Sequence, residues 1–143
     1  RNDETETCGC GRKGCLEQYA SATGLVRLAK RYFEKNTKNS ILTGKEITAK
    51  EVFDAAKAGD AAALEITEEF GAYLGQALVN LAATVDPAVF VIGGGVSKAG
   101  DILLETVRKY FYDHAFYGNQ KTKITLATLG NDAGIYGAAK QVL

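Results

Sequence analysis

Residues Asp86–Phe111, DPAVFVIGGGVSKAGDILLETVRKYF, set the fold class. Asp86-Pro87 punctuates the chain. Ala88–Ile92 is a short, continuously apolar, β-branched run, as expected of a strand buried in a parallel sheet. Gly93, Gly94 and Gly95 follow at once, and a helical pattern resumes over Asp101–Phe111. Strand, glycine turn, helix is the geometry in which bare main-chain N–H groups approach a phosphate. Neither standard phosphate template fits. Gly95 and Gly100 match a Walker loop, but Asp101-Ile102 stands where Lys and Ser or Thr are needed. The dinucleotide fingerprint needs glycine at Lys98. The turn is competent to meet a nucleotide without a diagnostic code, and a plain tight turn accounts for the glycines as well.

Outward from that stretch, helices and strands alternate, which indicates an α/β layered fold. Leu16–Asn36 reads as helix, broken near Thr23-Gly24, with Leu25, Leu28, Ala29 and Tyr32 or Phe33 on one face. NTKNSILTGKE is loop. Thr48 and Glu51 form a capping box before Val52, Phe53 and Ala56. Gly59 ends that helix, and Asp60 is the N-cap of a long one reaching about Thr84. Its apolar stripe is Phe70, Leu74, Ala77, Leu78 and Leu81. Gly71 and Gly75 share a face, which favours close helix packing. Lys123–Leu129 is a second strand, and IYGAAKQVL a small-faced helix that would pack on a sheet or line a cleft. Two strands make a poor sheet. No repeat or linker appears, so residues 1–143 are expected to form a single unit.

Composition narrows the function. The 143 residues carry 17 acidic and 17 basic groups, 46% hydrophobic and 24% charged residues. That is the balance of a globular protein, with no basic field for nucleic acid. No apolar run approaches the length of a membrane span. The first residues are polar, with no signal-peptide pattern. No Met occurs, as expected of a piece of a longer polypeptide or a processed one.

All three cysteines lie in CGCGRKGC, residues 8–15. An odd count argues against a disulfide framework. Interleaved glycines allow a tight knuckle on which Cys8, Cys10 and Cys15 converge, and Arg12 and Lys13 would favour thiolates. Zinc is the preferred reading, one ligand short of four. Reduced cysteines in a glycine turn, or a redox pair despite the wrong spacing, are the alternatives. His114, the only histidine, is expected at a helix end rather than on the metal.

Cys8-Gly-Cys10-Gly-x-x-Gly14-Cys15-x-Glu17, with Val91-Ile-Gly93-Gly94-Gly95 and Gly130-Asn131-Asp132-Ala133-Gly134-x-x-Gly137-Ala138-Ala139, resembles the ROK family of repressors and sugar kinases, with the bacterial glucokinases nearest. The resemblance runs along essentially the whole chain. It implies an α/β, actin-like, hexokinase-type fold, of which this chain is most of the C-terminal lobe: helix-rich, with few strands. It implies Cys8, Cys10 and Cys15 as structural zinc ligands, the fourth being an upstream histidine. It implies Glu17 as a sugar contact, although a solvated first-turn acid explains Glu17 alone. It implies Gly93, Gly94 and Gly95 as the nucleotide turn, while Asn131 and Asp132 are expected to cap the following helix. In the absence of that histidine, Glu4 or Glu6 is a candidate to join the thiolates.

The implied reaction is transfer of the γ-phosphate of Mg-ATP to the 6-hydroxyl of glucose in a cytoplasmic homodimer or tetramer. The family's D-x-G-x-T loop and catalytic Asp do not occur in these residues, so the isolated chain is expected to be inactive. Alternatives are the sugar-sensing module of a repressor, a kinase for fructose, mannose or N-acetylmannosamine, and a zinc-stabilised interaction module without chemistry.

Overall fold

A computed structural model describes residues 4–142. The order is α1 (Glu17–Ala20), α2 (Ala22–Lys35), α3 (Ala49–Lys57), α4 (Ala61–Val85), β1 (Val89–Ile92), α5 (Asp101–His114), β2 (Lys123–Leu126) and α6 (Ala133–Lys140). The long α4 is the spine, and α1, α2, α3 and α5 pack against it. Phe70, Ile66, Leu25, Val52, Leu103, Val107 and Phe111 are fully buried in one continuous core. Each such side chain contributes about 1.5–3 kcal/mol on leaving water.

Local chemistry sets the helix boundaries. The Thr48 side chain accepts from Glu51 N at 3.3 Å and Glu51 Oε2 accepts from Thr48 N at 2.9 Å, so the expected capping box is formed. Asp60 accepts from Ala63 N at 2.9 Å and caps α4. The same carboxylate accepts from Ile41 N at 2.9 Å and Ser40 Oγ at 3.0 Å, so it also pins the loop before α3. The break between α1 and α2 falls at Ser21, earlier than the Thr23-Gly24 expectation. Ser21 is extended and its Oγ accepts from Gly24 N at 3.0 Å. Gly24 lies inside α2, where its missing side chain lets the main chain of α1 come close.

Gly71 and Gly75 serve helix packing, as expected. A Cβ on Gly71 would stand 2.7 Å from Thr106 Cβ, and one on Gly75 2.9 Å from Tyr110 Cβ, both on α5. Leu81, expected in the apolar stripe, is half exposed; Ile66, Thr67 and Ala82 are buried instead. Leu78 and Ala82, one helical turn apart, are both buried, and Leu81 lies off their line, outside the covered face.

β1 and β2 pair in parallel, Val89 opposite Lys123 through Ile92 opposite Leu126, with α5 as the crossover. β1 is not buried on both faces as its composition suggested. Ile92 faces the core, whereas Val91 is 60% exposed, because helices cover only one side of the two strands. β2 ends at Leu126, short of the expected Leu129. The helix α6 has no buried residue, and nothing lies within 4 Å of a Cβ built on Gly134 or Gly137, so its thin face meets neither sheet nor helix among the described residues. Asp132 stands at its N-cap position, but its side chain makes no capping bond, contrary to expectation. The Asn131 side chain lies outside the described residues.

Candidate functional site

The loop before α1 brings the three thiols together. Cys8 N donates to Arg12 O at 2.7 Å and Gly11 N to Cys8 O at 2.8 Å, closing a tight turn through Gly11 at φ +84°. Cys8, Cys10 and Cys15 Sγ all lie within 4.8 Å of one another, Cys10 and Cys15 at 3.5 Å. A tetrahedral ion with Zn–S bonds of about 2.3 Å holds its sulfurs about 3.8 Å apart. Three soft thiolates at this spacing fit zinc. Cys10 has its thiol held below the usual range, first by a main-chain hydrogen bond from Arg12 and then by the thiols of Cys15 and Cys8. Hydrogen bonding with Cys10 pushes Cys15 up to about 11. Arg12 therefore acts on Cys10 first through its main chain, not the side-chain charge that the sequence suggested.

Glu4 and Glu6 do not join the thiols. Glu4 is fully withdrawn from solvent and receives both terminal nitrogens of Arg31, at 3.1 and 2.8 Å. Arg27 lies 2.7 Å from Glu4 and 2.9 Å from Glu6. Hydrogen bonds from Arg31 first, then Tyr19, hold the Glu4 carboxyl well below the carboxylate range. A carboxylate so engaged is not offered to a metal. His114 is equally remote in role: it ends α5, its Nδ1 2.8 Å from Tyr110 O and its ring stacked on Tyr110.

The carboxylate beside the thiols is that of Glu17, the first residue of α1. Thr23 Oγ1 donates to its Oε1 at 2.9 Å and Ser21 Oγ at 3.3 Å, while Cys8 Sγ donates to Oε2 at 3.5 Å. Thr23 foremost, then Cys8, holds this carboxyl below its usual range. Glu17 remains exposed, so the group is anchored yet open to a ligand.

The glycine turn approaches the same face. Gly93, Gly94 and Gly95 are exposed, and Gly94 takes φ +78°, which a side chain would resist. Gly95 starts a short 3₁₀ turn that ends at Ala99 before Gly100 opens α5. A Cβ on Gly95 would stand 3.8 Å from Ala22 Cβ, between the two hydroxyl residues that hold Glu17. Thr23 and Ala22 line an open groove of about 590 Å³ that reaches Ala49. Ala49 also lines a slot of about 190 Å³ with Phe53, Asp54, Lys57, Gly95 and Lys98. Lys50 pairs with Asp54 at 2.6 Å at the slot's rim. Thr23 on the groove and Gly95 on the slot, 72 residues apart in sequence, are thus brought close through Ala22 and Ala49. Sequence reasoning missed the slot: Lys57 on α3 and Lys98 in the glycine turn lie 41 residues apart, and no spacing rule couples them.

Comparison with known proteins gives the family. The glucokinase of Halalkalibacterium halodurans is 43% identical over 135 residues, covering 91% of this chain and 41% of that protein. The N-acetyl-D-glucosamine kinase of Photobacterium profundum is 33% identical over 93% of this chain and 40% of its own length. The crystal structure of a ROK family glucokinase from Streptomyces griseus, in complex with glucose and AMPPNP, superposes with a TM-score of 0.83 at 36% identity, covering 96% of this chain and 47% of that one. The chain spans less than half the length of each of these relatives. Its fold is that of part of a lobe of the actin-like hexokinases, helix-rich with two strands. The ROK family model matches residues 1–143, and the chain belongs to the ROK family.

Proposed function

We propose that this chain is the sugar- and nucleotide-contacting part of a glucokinase that moves the γ-phosphate of Mg-ATP to the 6-hydroxyl of glucose. The relatives' names support a sugar kinase. The observation that carries the reading is the approach of Gly95 to Ala22, beside the Thr23 hydroxyl that holds the Glu17 carboxylate.

Each residue has a chemical task in this reading. Glu17 accepts hydrogen bonds from two sugar hydroxyls through Oε2, whose contact from the Cys8 thiol is given up when that cysteine ligates zinc as a thiolate. Its charge makes those bonds about twice as strong as neutral ones. The exposed glycines let the nucleotide's phosphates approach the main chain. The slot beside Gly95 takes the flat base, apolar on Phe53 and Ala99, with Asp54 as an acceptor and Lys98 as a nearby charge for phosphate oxygens. Catalysis on this surface is positioning of two substrates rather than proton transfer. Cys8, Cys10 and Cys15 hold a zinc ion, which supplies rigidity to the knuckle and not a reactive position.

An amino-sugar substrate is the second reading, favoured by the 33% identity to an N-acetyl-D-glucosamine kinase. The test uses the full-length polypeptide with Mg-ATP and glucose, fructose, mannose or N-acetylglucosamine, following ADP release. Glucose is expected to lead. Losing two charge-assisted hydrogen bonds in Glu17→Ala should cost about 10²-fold in kcat/KM. ADP release with none of the sugars, or a Glu17→Ala variant equal to wild type, would sink the proposal.

A further inference from the structure

We infer that the cluster of Glu4, Glu6, Tyr19, Arg27 and Arg31, built around the buried Glu4 carboxylate, is a positioning device for Glu17; the inference rests on the reading of Glu17 as a sugar contact. The need for such a device follows from α1 itself. It has four residues and no side-chain cap at its start. One helical turn does not hold its own geometry in water. A binding carboxylate must nonetheless be placed within about 0.5 Å of its working position.

The next two residues supply the hold. Gln18 and Tyr19 are buried, at 6% and 3% exposure, although Glu17 beside them is open. Gln18 Oε1 accepts from Cys15 N at 3.2 Å, and its Nε2 donates to Glu6 O at 3.1 Å. It thereby stitches α1 to both ends of the thiol loop. The Tyr19 hydroxyl donates to Glu4 Oε2, and its ring lies 4.7 Å from that of Tyr73 on α4. Glu4 in turn is forked by Arg31 and met by Arg27, with Glu6 N donating to it at 2.9 Å. Glu6 closes the circuit with Arg27 at 2.9 Å and Arg31 at 3.1 Å.

Arg27 and Arg31 stand one turn apart on α2. That helix is capped by Ser21 and contains Thr23, the two hydroxyl residues that hold Glu17 Oε1. The cluster therefore locks α1 to α2, the two elements that meet at Glu17. Stability alone does not account for it. Pairing a buried carboxylate such as that of Glu4 gains little over apolar packing of the same shape, and what it supplies here is one orientation. Two carboxylates and two guanidiniums leave the cluster neutral. Planar forks also let each arginine reach both acids in one fixed geometry, which a flexible ammonium does not impose.

The experiment measures sugar KM, Mg-ATP KM and kcat for the full-length protein carrying Glu4→Gln, Glu17→Gln or both. Glu4→Gln should raise sugar KM about tenfold while leaving the Mg-ATP KM unchanged. In the Glu17→Gln background the same change should add nothing, because it acts through Glu17. Arg31→Lys keeps the charge and loses the fork; it should reproduce the sugar KM increase, and it stands in should Glu4→Gln fail to fold. Additive effects in the double variant overturn the inference, as does a lowered thermal midpoint with unchanged sugar KM. Silent Glu4 and Arg31 variants beside an impaired Glu17→Gln overturn it while leaving the proposed function standing. An unimpaired Glu17→Gln removes the sugar-contact reading, and this inference with it.

Discussion

Gly24→Ala adds one methyl group where α2 passes α1. The new Cβ would stand 2.8 Å from Tyr19 C, 2.9 Å from Glu17 O and 2.9 Å from Tyr19 N. Ordinary van der Waals contact starts at 3.4 Å, so α1 must retreat by about 0.6 Å. All three neighbours are main chain, so no side chain can rotate away. Overpacking of this kind costs about 1–3 kcal/mol. Alanine recovers at most about 1 kcal/mol of helix propensity. The expected net loss is about 1–2 kcal/mol, or roughly 3–8 °C in thermal midpoint. Because Glu17 O is one of the atoms displaced, sugar KM should rise in the same variant. Thermal unfolding by circular dichroism and a sugar titration read the two effects. Gly9→Ala is the control: nothing lies within 4 Å of its Cβ, and stability should stay within about 0.5 kcal/mol. A Gly24→Ala protein as stable as wild type would refute the close approach of the two helices.

Two further outcomes are expected. Elemental analysis of the purified full-length protein should give one zinc per chain, falling severalfold in Cys10→Ser; wild-type protein without zinc would contradict the thiolate site. The folded pKa of Glu4 is depressed by Arg31, Tyr19 and the Glu6 main-chain N–H, so its contribution is present above the ordinary carboxylate value of 4.5 and is lost as pH falls below it. Glu4→Gln should flatten the acid side of the stability curve below about pH 4.5, and an unchanged acid limb in urea titrations would show that the cluster does not set it.

Much of the fold was legible because its signals are local. The Thr48–Glu51 box, the Asp60 cap and the Gly71/Gly75 face are patterns of three or four residues, and each appears as read. The convergence of the three thiols was legible for the same reason: glycines within eight residues leave the chain few other ways to turn. Burial of β1 and α6 was overread. Apolar composition reports what a segment can bury, not whether a neighbour stands there, and Val91 and Ile135 remain exposed. The acid–arginine cluster was out of reach. Glu4 meets Tyr19 and Arg31 across 15 and 27 residues, and no spacing rule couples them.

The two-stranded sheet is guarded on one side only. Arg108 donates to Ile124 O from both Nε and Nη2, at 3.2 and 2.5 Å, and the Tyr112 hydroxyl donates to Thr122 O at 3.1 Å. The outer edge of β2 therefore spends acceptors that an incoming strand would need. No group among the described residues bonds to the other edge of β1. A sheet with one blocked edge grows in one direction. Any added strand, from this polypeptide or from a misassembled neighbour, must join beside Val89–Ile92, where exposed valines also favour adhesion. That edge is the place for a lysine or a proline if these 143 residues are to be handled alone in solution without clumping.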